Sequence, residues 1–68
     1  MQYKRLHAKP RVVINLLSGK AFSGVVTDSK GPLLVLKSAF LHEGTQDPVQ
    51  LDGEVVVEKV DVDFIQVP

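Results

Sequence analysis

Val12-Val13-Ile14-Asn15-Leu16-Leu17-Ser18-Gly19-Lys20-Ala21-Phe22-Ser23-Gly24-Val25-Val26 decides the fold class. Val12, Ile14 and Leu16 recur with a period of two, which places them on one face of a strand. Ser18-Gly19-Lys20 breaks the run, and a glycine there is free to take the positive φ of a tight turn. Phe22, Gly24 and Val26 then repeat the period of two, so a second strand returns along the first. Gly24 stands where a core side chain would otherwise point. That lets the second strand bend sharply there around the core.

Working outward, the same grammar continues. Valine-rich runs are interrupted at short intervals by Gly, Pro, Ser and Asp, as in small all-β barrels and sandwiches. The first strand is expected over residues 11–17 and the second over 21–28. Ser29-Lys30-Gly31-Pro32 is a turn, and the third strand covers 33–41. Residues 42–53 read as a long hairpin connection, with Asp52-Gly53 a strong turn signal and Val49 and Leu51 able to extend the flanking strands into it. Residues 54–67 alternate for too long to be one straight strand. A break near Lys59 to Asp61 divides them into a fourth strand, 54–58, and a fifth, 62–67. The expected fold is all-β: five short, strongly bent antiparallel strands closed as a small barrel over residues 11–68. A basic arm, 1–10, precedes it. Val55, Val57, Val62 and Phe64 are candidates for the core of the last two strands, and Phe40 for an exposed contact beside the long loop.

Composition narrows the function. At 68 residues the chain suffices for one domain, and a core of this size is marginal. There is no cysteine to staple it. His7 and His42 stand apart, with no ligand spacing around either. Oligomerisation is the remaining common source of added stability. The longest apolar run, Leu33 to Leu36, is far below the ~20 residues of a spanning helix. The expectation is a soluble cytoplasmic protein with no membrane partner.

The balance of eight cations against eight acids hides an asymmetry. Lys4, Arg5, Lys9 and Arg11 crowd the first eleven residues, where no acid occurs. The remainder holds all eight acids. Tyr3, Lys4, Arg5, Lys9 and Arg11 are therefore the candidate contacts to RNA or an acidic partner. No serine, histidine or carboxylate pattern carries a catalytic signature, and no phosphate-binding glycine loop is present. Asp61 and Asp63 would share a face of a regular strand, a pattern more often solvated than catalytic or metal-binding. The expectation is a non-enzymatic binding module without a cofactor.

Val12-x-Ile14-x-Leu16-x-x-Gly19-x-x-Phe22-x-Gly24-x-Val26 resembles the first motif of the Sm-like (Sm/Hfq-type) small β-barrel family. Val57-x-x-x-x-Val62-x-x-Ile65 is similar to the hydrophobic frame of its second motif. The resemblance spans residues 11–67 and implies an Sm-like barrel. It further implies a ring of about five to seven copies closed by strand pairing. The interface residues would be Glu54, Val55, Val56, Val57 and Glu58 of one copy with Val62, Asp63, Phe64, Ile65, Gln66 and Val67 of the next. The family's RNA-contacting Asp, Asn and Arg-Gly are replaced here by Lys30, Leu34 and Glu58-Lys59, which removes its polar readout of bases. The ending, Asp52-Gly53-Glu54-Val55-Val56-Val57 through Val62-Asp63-Phe64-Ile65-Gln66-Val67, resembles short head-region proteins of tailed phages that infect actinobacteria. That likeness implies a virion-associated assembly or adaptor role, in the host cytoplasm or the virion. The alternative is an Sm-like RNA-binding protein that works through its basic arm.

Overall fold

The structure, a computed structural model, describes residues 11–68. It is an all-β domain with one six-stranded antiparallel sheet. The strands are β1 (Val12–Leu16), β2 (Ala21–Lys30), β3 (Leu33–His42), β4 (Val49–Leu51), β5 (Val55–Glu58) and β6 (Val62–Gln66). A 3-10 helix, Lys59–Asp61, joins the last two. The order is β4-β3-β2-β1-β6, with β5 also on β3. β3 pairs with β2 along its length, so its other edge is divided. Leu33 to Leu36 take β5, and Ala39 to Leu41 take β4.

The alternation of the first two strands holds. Val12 and Ile14 are buried and Leu16 packs against them. Phe22 borders the same core, and Gly24 and Val26 are buried. Leu34, Leu36, Ala39 and Val57 complete it. Gly19 has φ +95°, as its turn requires.

Three expectations need correction. Five strands were expected and six are present, because the 42–53 connection contains β4. Val49 and Leu51 are too few to signal a strand by period, and only the free half-edge of β3 gives them a partner. Second, Phe64 is not a core residue but is 50% exposed. Asn15 pairs with Phe64 and Leu16 with Val62, so Asp63 is an extra residue in β6. Such a bulge reverses the alternation. Val62 and Ile65, three apart, both pack against the core, and Phe64 turns outward. Third, Asp61 lies in the 3-10 helix and Asp63 at the bulge, so the two do not sit on one regular strand.

A second bulge falls in β3. Ser23 pairs with Phe40 and Val25 with Lys37, leaving one extra residue in β3. Ser38 there has φ +52°, the only positive φ of a non-glycine residue among those described. The left-handed conformation costs an L-residue about 1–2 kcal/mol. Glycine would remove that strain but lose about 0.5–1 kcal/mol in chain entropy. Ser38→Gly is therefore expected to raise stability by up to about 1.5 kcal/mol. A urea midpoint below the parent's would contradict this account of the bulge.

Candidate assembly interface

β5 and β6 are edge strands among the described residues. β5 pairs only with β3, and β6 only with β1. An open edge presents unpaired N–H and C=O groups, a template for another chain. Neither edge carries proline or a bulky blocking loop within its strand. β5 is Val-Val-Val-Glu, and Val56 is 56% exposed.

The expected interface residues separate by orientation. Val57 is buried in the protomer's own core, and Val55, Val62 and Ile65 pack against that core. Their side chains are turned mainly to that core, with Val57 fully committed to it. Val56, Glu58, Asp63, Phe64, Gln66 and Val67 are exposed. Glu54 lies just before β5, and Val67 just after β6. Near the 3-10 helix, Val60 (76%) and Leu17 (67%) add exposed apolar surface. The Leu17 N–H donates to the Asp61 carbonyl at 2.9 Å, which holds the end of β1 to that helix.

Arg11 is the one candidate contact residue of the basic segment that is described; Tyr3, Lys4, Arg5 and Lys9 lie outside the described residues. Its guanidinium is occupied. Nη2 donates to the Ser38 carbonyl at 2.9 Å and to Ser23 Oγ at 3.4 Å. The group also lies 5.5 Å from the Phe40 ring centroid, within the range of a cation–π contact. Phe40 is thus half-buried under Arg11 rather than bare.

The registers show a constellation that sequence reading missed. One cross-strand row runs Phe64, Asn15, Ala21, His42. The next runs Gln66, Val13, Ser23, Phe40, Gln50. Both rows lie on the face away from Val12 and Ile14. His42 Nε2 and Ser23 Oγ are 2.9 Å apart, and Asn15 Nδ2 donates to Gln66 Oε1 at 3.3 Å. A serine beside a histidine is half of a nucleophilic pair. No described carboxylate hydrogen-bonds His42 to orient it, as activation of the serine requires. The β3 bulge sets which residues join these rows, and no local sequence signal marks that bulge.

An open cleft of about 530 Å³ lies beside β4, lined by Lys37, Ser38, Gln50, Leu51, Asp52, Gly53 and Glu54. It occupies the gap where β3 passes from one partner to the other. Among the described residues no three His, Asp or Glu side chains converge on a common point suited to a metal ion. No helix among them is long and apolar enough to cross a membrane.

No protein-family model matches the chain. No curated protein matches it either.

Proposed function

We propose that the chain is a non-enzymatic assembly or adaptor module that closes as a small Sm-like barrel and joins copies of itself by strand pairing. The observation that carries this reading is the pair of strands, β5 and β6, that each have a single strand partner among the described residues and lie on consecutive segments of one chain. Their exposed Val56 and Phe64 give the pairing an apolar component.

The topology supports closure. β5 and β6 are four strand steps apart along β5-β3-β2-β1-β6. In a flat sheet that is about 19 Å. The chain from Glu58 to Val62 spans at most about 14 Å even when extended. A curled sheet relieves the mismatch. The 3-10 helix favours the same curl, because the Lys59 N–H donates to the Pro32 carbonyl at 2.7 Å and the Asp61 carbonyl accepts from Leu17. Bulges in β2, β3 and β6 add local bend and twist.

In this reading β5 of one copy pairs with β6 of the next, and a ring of about five to seven copies removes every open edge of that kind. A phage virion or capsid-region setting is what the resemblance of residues 52–67 implies. The RNA-binding alternative rests on Lys4, Arg5 and Lys9, since Arg11 already has partners. It predicts a salt-dependent shift of labelled RNA.

Sedimentation of the purified chain at micromolar concentration and physiological salt is expected to show an oligomer. Val56→Lys and Phe64→Lys change side chains that are about half exposed, so protomer stability should fall by about 1 kcal/mol. Each should shift the oligomer toward monomer. A parent that sediments as a monomer would sink self-assembly, and charged variants that remain fully assembled would place the interface elsewhere.

A further inference from the structure

We propose that self-assembly of this chain is governed by ionic strength and grows tighter as salt rises. The inference rests on strand pairing between copies and names what regulates that contact. It starts from the charge of the two strands that would meet. Glu54, just before β5, and Glu58, at its end, are exposed, as is Asp63 in β6. Asp61, in the 3-10 helix between the strands, is exposed too. None of the four forms an ion pair among the described residues. Over residues 54–67 the one Lys or Arg is Lys59. Each copy therefore carries an excess of negative charge along both edges, and pairing brings like charge to like.

The closeness of these charges does not depend on the register. Val55 and Val57 pack inward, so Glu54, Val56 and Glu58 share the outer face of β5. On β6, Val62 and Ile65 pack inward and Phe64 is exposed. A sheet that continues from one copy to the next keeps its inward faces together. Phe64 then stands opposite Glu54, Val56 or Glu58 of the neighbour. In all three cases, and for either strand direction, Asp63 is one position along from a glutamate. One strand spacing and one residue of rise put their backbones about 6 Å apart. Like charges on neighbouring cross-strand positions are destabilising. At 0.05 M salt the Debye length exceeds ~10 Å, so the repulsion acts across that gap. At 0.5 M it is ~4 Å, and the repulsion is largely screened. The apolar part of the contact, Val56 and Phe64, is not weakened by salt. An interface built on opposite charges behaves the other way and loosens as salt rises.

Sedimentation over a concentration series at neutral pH gives the dissociation constant of the full chain in 0.05 M and in 0.5 M sodium chloride. It should be about three- to tenfold lower in 0.5 M, the effect of relieving two or three cross-strand repulsions. Glu58→Gln/Asp63→Asn keeps the size of both side chains and removes two charges from each copy. This variant should assemble in 0.05 M salt about as tightly as the parent does in 0.5 M, and lose most of the salt response. It separates charge screening from a general effect of salt on apolar contacts. A parent constant that is unchanged or rises with salt overturns the inference and leaves strand pairing standing. A variant with the parent's full salt response overturns it too, because the responsible charges would lie elsewhere. A parent that stays monomeric at both salt levels removes the strand-pairing reading, and this inference with it.

Discussion

Ile14→Ala is expected to lower stability by about 2–5 kcal/mol, the range for deleting a fully buried aliphatic side chain. Ile14 is completely inaccessible and lies on the central strand of the β2-β1-β6 trio, opposite Phe22 on one side and Ile65 on the other. The loss has two parts. The removed methyl groups give up their burial, and the neighbours collapse only partly into the space left behind. At the usual 0.05–0.15 kcal/mol per residue, a domain of this length has roughly 3–10 kcal/mol in all. The variant should therefore be largely unfolded near room temperature or show a urea midpoint reduced by about half. Val13→Ala, one position along on the opposite face, serves as the control. Comparable losses for the two would mean that the inward face of β1 has been misassigned.

Gly24→Val should cost about 1–3 kcal/mol although valine suits strands better than glycine does. The reason is space. A Cβ at residue 24 would meet the Lys37 carbonyl oxygen at 3.2 Å and the Ala39 Cα and Cβ at 3.3 Å. Two of those three atoms are backbone, so β2 and β3 would have to separate rather than a side chain rotate. Valine adds two methyl groups beyond that Cβ. Its propensity gain of up to about 1 kcal/mol does not offset the displacement of a buried strand pair. Gly24→Ala should fall between, since a shift of a few tenths of an ångström accommodates its single methyl. Thermal melts of the series are expected in the order glycine, alanine, valine. A valine variant melting with the parent would show that β3 does not approach β2 closely at this point.

The two substitutions probe different levels of legibility. Ile14 was readable because its information is local: a period of two over Val12, Ile14 and Leu16 already assigns a face. The turn at Gly19, the hairpin at Gly31-Pro32 and the break at Lys59 to Asp61 were readable for the same reason, each being a short interruption with its own chemistry. The bend glycine was legible as a position, but the atoms that crowd it belong to β3.

For the candidate interface, the sequence marked the two valine-rich segments that become β5 and β6. It did not say which of their side chains face outward. Extending the alternation through Asp63 put Phe64 in the core, and the bulge opposite Asn15 and Leu16 moved it to the surface. A bulge is a property of two strands in register, so one strand read alone does not reveal it.

By itself, then, the sequence determined the all-β class, the first three strands, most of the inward face and the charge division between residues 1–10 and the rest. These follow from near-neighbour patterns that any strand must obey. Only the tertiary structure decided that Val49–Leu51 is a strand, that β3 divides one edge between β4 and β5, and that Arg11 reaches Ser38 and Phe40. Each depends on partners distant in the chain. Their hydrogen bonds and contacts exist only once the sheet has formed and brought those residues within a few ångströms.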